Sequence, residues 1–130
     1  MPVRFAIITD CMSNTEQLPL YLKFYQLIKF LYGTVKNFPK QYKYTLGTQI
    51  LNISWRCLDL VIEANGAGKE KQSKILELSL AFDKLKVRLR MAQELRLISE
   101  GQFVHIHSVY CKETGEMIGG WSKWANGRNF

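Results

Sequence analysis

Proline, cysteine and histidine are scarce in this 130-residue chain, numbering three, three and two. Three prolines beside nine glycines, with hydrophobic residues at 47% and charged residues at 22%, exclude a collagen-like, linker-like or disordered chain. Cys11, Cys57 and Cys111 are odd in number, widely scattered and without a CxxC spacing. They make neither a disulfide framework nor a zinc knuckle, and they fit a reducing, cytoplasmic setting. His105 and His107, two residues apart on a helix, point about 160° from one another and cannot share a metal. Long apolar runs are missing too. The stretch 3–8 is too short for a secretory core or a bilayer span, so neither an export signal nor a membrane anchor is expected.

Acidic residues are the other shortage: 11 Asp and Glu stand against 18 Lys and Arg, a net charge of +7. The isoelectric point near 9.4 points to polyanions or acidic protein surfaces as partners. At about 100 to 200 residues per domain the chain is one domain with a self-sufficient core.

The breakers Pro19, Gly33, Pro39, the cluster 65–68, Gly101 and Asn126-Gly127 delimit four long segments, 18–38, 40–64, 69–99 and 102–124. Each repeats apolar residues at steps of three and four, and none alternates. Four helices and no sheet are expected. The first carries Leu20, Phe24, Leu27, Leu31 and Val35 on one face, with Pro19 in the first turn. The second carries Leu46, Ile50, Ile53, Cys57, Leu60 and Ala64; the third Ile75, Leu78, Phe82, Leu85, Leu89 and Ala92; the fourth Phe103, Ile106, Tyr110, Met117 and Trp121. Short connections around 38–39 and 99–101 make neighbours antiparallel, so the expected fold is an all-α, up-down-up-down four-helix bundle. Its expected extent is 18–125, with an N-terminal arm at 1–17 and a tail at 126–130.

Second apolar stripes lie opposite the first. In the third segment they comprise Leu76, Leu80, Val87, Met91 and Ile98; in the second Leu51, Trp55, Leu58 and Ile62; the first adds a flank of Tyr21, Tyr25, Ile28 and Tyr32. One bundle has one core, and exposed apolar patches of this size are unusual on a monomer, so a second copy of the chain is the expected cover. Leu51, Trp55, Leu58, Leu80, Val87 and Met91 are the candidate oligomer contacts.

Cations cluster beside these stripes. Lys29, Lys36, Lys40, Lys43 and Arg56 follow one another with no acidic residue between. In the third segment Lys84, Lys86, Arg88 and Arg90 alternate with apolar residues, which at about 100° per residue places cations on both flanks. Such seams suit phosphates, whereas a bland reading makes them solvated lysines and arginines shielding apolar flanks.

Catalytic patterns fail on inspection. Gly66-Ala67-Gly68-Lys69 lacks the first glycine and the final hydroxyl of a phosphate loop, since Glu63 and Glu70 occupy those places, and reads as a helix end and turn. Asp59 with Glu63, and Glu113 with Glu116, have no histidine companion and read as surface ion-pair formers. Ser79, Ser99 and Ser108 lack a nucleophile elbow. No catalytic residue, metal site or cofactor is expected. Gly115, Gly119 and Gly120 in the fourth helix invite a close backbone neighbour or a kink.

The motifs Phe38-Pro39-Lys40, Lys43-Tyr44-Thr45-Leu46-Gly47, Ala64-Asn65, Asp83-Lys84-Leu85, Arg88-Leu89-Arg90-Met91-Ala92 and Met117-Ile118-Gly119-Gly120-Trp121 together resemble the four-helix-bundle accessory proteins of diversity-generating retroelements. The likeness runs over residues 18–124. A similar likeness links the chain to bundle proteins encoded in ribosomal RNA intervening sequences. The first resemblance implies a non-enzymatic, positively charged pentamer that binds the element's reverse transcriptase and template RNA, with cDNA a further candidate, and supports mutagenic cDNA synthesis. It implies partner contacts at Lys40, Lys43, Lys86, Arg88, Arg90 and Arg96. The rival expectations are a ribosomal-RNA-associated bundle without a polymerase partner and a purely structural oligomer.

Overall fold

The computed structural model describes residues 18–127. Every element in that range is helical, and four helices account for it: α1 at Pro19–Val35, α2 from Lys40 to Asn65, α3 at Lys71–Glu94 and α4 from Glu100 to Gly127. The arm at 1–17 and residues 128–130 lie outside the described residues.

Pro19 opens α1 because its fixed φ suits the first helical position, and Leu18 before it is extended (φ −70°, ψ 130°). The helix closes at Val35, and Phe38-Pro39 prevents its continuation. Pro39 then starts α2: its carbonyl accepts from the backbone N–H of Tyr42 at 2.9 Å and of Lys43 at 2.8 Å.

Two π turns interrupt the otherwise regular helices, Lys43–Gly47 in α2 and His107–Cys111 in α4. Each accommodates one extra residue per turn and rotates the next stretch of helix about its axis. In α2 the threonine hydroxyls support the widened turn: Thr45 Oγ1 donates to the Gln41 carbonyl at 2.8 Å and Thr48 Oγ1 to that of Lys43 at 3.4 Å. Gly47 ends this turn buried against Val35.

Between α2 and α3, Gly68 takes a left-handed conformation (φ +59°), which makes 65–70 the helix end and turn expected of the glycine cluster. The α3 helix stops at Glu94, five residues before its expected end at Ser99. Arg96 is left-handed (φ +63°), Leu97 N–H bonds to the Ala92 carbonyl at 2.8 Å and Arg96 N–H to that of Gln93 at 2.9 Å. Those two bonds form a Schellman motif with arginine where glycine is usual. Ser99 then caps α4: its hydroxyl accepts from Gln102 N–H at 3.0 Å while the Gln102 side chain accepts from Ser99 N–H at 2.8 Å.

The core faces of α1 and α3 are buried as the three-and-four spacing predicts, and Phe24 meets Phe82 edge-on with ring centroids 5.7 Å apart. In α2, Ile50, Cys57, Leu60 and Ala64 are buried, with Leu46 and Ile53 half-buried beside them. The α4 register differs from expectation. Its fully buried residues are Ile106, Cys111, Thr114, Ile118 and Ala125, while Phe103, Tyr110, Met117 and Trp121 pack half-exposed on the flanks. The step of five from Ile106 to Cys111 is the π turn, which a regular helical count does not contain. The two buried hydroxyls bond within their own helix, Ser54 Oγ to the Leu51 carbonyl at 2.8 Å and Thr114 Oγ1 to that of Tyr110.

Each helix touches the next. Trp55 of α2 donates from Nε1 to the Tyr32 hydroxyl of α1 at 2.9 Å. Arg56 and Glu63 of α2 join Lys74 and Glu77 of α3 in one ion-pair network, with Nζ of Lys74 at 3.0 Å from Glu63. Lys71 Nζ of α3 lies 5.1 Å from the Trp124 ring centroid of α4. Lys23 of α1 meets Glu113 of α4 at 2.9 Å, and Phe30 of α1 packs against His105 and Tyr110.

Candidate partner and nucleic-acid interface

The α3 helix is packed on one side and bare on the other. Leu76 is 62% exposed and Val87 63%, with Leu80 and Met91 about half exposed. These four lie within about 60° of helix circumference, opposite Ile75, Leu78, Phe82, Leu85 and Leu89. Ile98 is not part of this strip: the helix ends before it, and the residue folds back into the core at 2% exposure.

Cations border the strip on both sides, Lys84 and Arg88 on one and Lys86 and Arg90 on the other. Lys86 is partly occupied, 3.4 Å from Asp83 Oδ1 and 4.9 Å from the Phe82 ring centroid. Arg88 donates to the Lys84 carbonyl at 3.1 Å, which lays its guanidinium along the helix. Arg90 and Arg96 are exposed and form no ion pair among the described residues. Lys40 and Lys43 sit at the start of α2, exposed and half-buried, likewise without an ion pair among the described residues.

On α2 the second stripe is narrower than expected. Trp55 and Ile62 are exposed and Leu51 half-buried, whereas Leu58 belongs to the core. It lies about 60° round the helix from Trp55, beside buried Ser54 and Val61, and is already covered within the chain. On α1, Tyr25 and Tyr32 are exposed while Tyr21 and Ile28 are buried.

Electrostatics separate the α3 seams. Toward α4, the His107 ring packs at a tilt of 58° against Phe103 with centroids 4.5 Å apart, and its pKa is held below the ordinary value by burial and by the charges of Lys86 and Arg90. Toward α2, the hydrogen bond from Lys74 lowers the Glu63 pKa and raises that of Lys74. Glu63 and Glu113 are thus ion-paired as expected, whereas Asp59 and Glu116 form no ion pair among the described residues; the pairing of Arg56 with Glu77 and of Lys74 with Glu63 across helices was not visible in the spacing.

Burial also governs the thiols. Cys57 is pushed up to about 12 and Cys111 to about 11, so both stay protonated. Among the described residues no group of three or more His, Cys, Asp or Glu could hold a metal ion, and no helix is long and apolar enough to cross a membrane. Gly115 is in ordinary contact with Phe82 (3.7 Å to a built Cβ), and Gly119 and Gly120 face open space, so the fold itself supplies no close neighbour for the latter two.

Fold and surface together define a small, basic four-helix protein with an uncovered apolar strip on its longest helix. Residues 19–125 match the family described as bAvd-like, and the chain belongs to that family. The family takes its name from the accessory variability determinant of a Bordetella phage diversity-generating retroelement. Neither a curated protein nor a solved structure is matched by the chain.

Proposed function

We propose that this protein is a non-catalytic accessory subunit of a diversity-generating retroelement, a cytoplasmic homo-oligomer, pentameric by family resemblance, that binds the reverse transcriptase together with template RNA or cDNA. The observation that carries the proposal is the α3 outer face: an apolar strip for a second copy, bordered by Lys86, Arg88 and Arg90 for a polyanion or an acidic polymerase surface.

An up-down-up-down order of the helices accompanies this reading. It is supported by Val35 late in α1 meeting Gly47 early in α2, Glu63 late in α2 meeting Lys74 early in α3, and Lys71 early in α3 meeting Trp124 late in α4. With that order, the α1–α2 and α3–α4 turns share one end of the bundle. Lys40 and Lys43 then extend the basic surface of Arg88, Arg90 and Arg96 across that end.

The test is co-purification of the wild-type protein and an Arg88→Glu/Arg90→Glu variant with the reverse transcriptase and its RNA. Loss of both partners at unchanged helicity supports the proposal; undiminished capture rejects these residues as the contact.

A further inference from the structure

The π turn near the start of α2 carries an aromatic ring with nothing to do inside the fold. Tyr44 is 69% exposed, the most exposed large hydrophobic residue of the described chain. Among the described residues it has no hydrogen bond, ring contact or cation over its face. The sequence spacing gives no warning, because Tyr44 stands two residues before core-packed Leu46 and the π turn Lys43–Gly47 sets its orientation. Thr45 and Thr48 brace that turn through the Gln41 and Lys43 carbonyls, so the ring stands on a supported backbone.

Around the ring the chemistry has one sign. Pro39, Lys40, Gln41 and Tyr44 line a single shallow depression. Lys36 and Lys43 lie within four residues of Lys40 in the chain, and no acidic residue occurs between Lys29 and Arg56. An exposed aromatic face beside unneutralised lysines fits a base stacked on a ring with its phosphates on cations. A duplex offers no free base face, so it gains only the charge contact. Gln41 adds an amide able to donate to and accept from a base edge.

We infer that Tyr44 is a stacking platform for an unpaired base, with Lys40 holding the neighbouring phosphate and Gln41 at the base edge, so that this end of the molecule prefers single-stranded to duplex nucleic acid. The inference rests on the polyanion-binding part of the proposed function, and adds to it a site and a strand preference.

The experiment is fluorescence anisotropy with the full chain, using a labelled single-stranded oligoribonucleotide of about 20 nucleotides, longer than one site of this kind, and the matching duplex. Tyr44→Ala is expected to weaken single-strand binding about tenfold and leave duplex binding within about twofold, while Tyr44→Phe retains wild-type affinity. Lys40→Gln is expected to reduce the single-strand salt slope by about 0.7, the value of one lost phosphate contact. Circular dichroism verifies that the surface substitutions leave helicity intact. Equal single-strand affinity in Tyr44→Ala, or equal losses on both nucleic acids, overturns the stacking site. Normal RNA binding with lost polymerase capture overturns it in favour of a protein contact. If the wild type binds neither nucleic acid at low salt, the RNA part of the proposed function falls as well.

Discussion

Replacing Gly47 with alanine should destabilise the protein, although alanine is the better helix former. A Cβ built on Gly47 lies 2.6 Å from Val35 Cγ1, with the Tyr42 carbonyl at 3.4 Å. Carbon atoms pack best at about 3.5 to 4.0 Å, so the overlap with Val35 is about 1 Å. Val35 is buried at 4% exposure and its β-branched side chain is stiff, which leaves it little freedom to turn away. Overpacking of this kind costs about 1 to 3 kcal/mol, and the helix-propensity gain of about 1 kcal/mol offsets part of it. The expected net loss is about 1 kcal/mol. Urea unfolding followed by circular dichroism, at one fixed protein concentration, should show it as a midpoint lowered by about 0.5 M. In a Val35→Ala background the obstructing methyl is gone, and the same glycine substitution should become neutral or stabilising. The resulting coupling energy is expected at about 1 to 2 kcal/mol. A raised midpoint for Gly47→Ala in the wild-type background, or strict additivity in the cycle, refutes the close α1–α2 approach.

Ser99→Ala should cost about 1 kcal/mol in the same assay through loss of the capping box, and Arg96→Gly should gain up to about 1 kcal/mol by relieving the left-handed arginine. The depressed His107 pKa means the unfolded state takes up its proton first. Stability from this group is present above about pH 6.5 and lost as pH falls below it, and His107→Asn should flatten that part of a pH series. Cys57 and Cys111 should resist a thiol-specific disulfide reagent near neutral pH in the folded protein and react once urea unfolds it. Because their folded pKa values of about 12 and 11 lie above the ordinary 9.0, stability should decline as pH rises past 9.0, and a flat profile there refutes thiol burial.

Helix number and the core faces of α1 and α3 were legible because both helices are uninterrupted where their apolar residues recur at three and four. Where the backbone departs from that period, the reading slips. The π turn His107–Cys111 moves the buried stripe of α4 onto Cys111, Thr114 and Ile118, and no side-chain pattern announces an extra backbone residue. The end of α3 was placed too late because arginine rather than glycine adopts the left-handed position after it. Gly101, read as a breaker, sits inside the first turn of α4, and Asn126-Gly127 does not stop that helix before Gly127. For the surface, the exposed strip at Leu76, Leu80, Val87 and Met91 followed from angle alone. Leu58 did not, since its place 60° from Trp55 falls on the border where the width of the neighbouring helix decides burial. The cross-helix pairs of Arg56 and Lys74 depend on which helices become neighbours, which spacing within one segment cannot encode.

Light scattering coupled to gel filtration, applied to the wild type and to a Leu80→Glu/Val87→Glu variant, probes the uncovered α3 face most directly. The wild type should elute as a whole-number multiple, above one, of the 15.1 kDa chain and the variant as a single helical chain. A wild-type particle of 15.1 kDa at concentrations where it captures RNA and polymerase would show that the apolar strip needs no second copy.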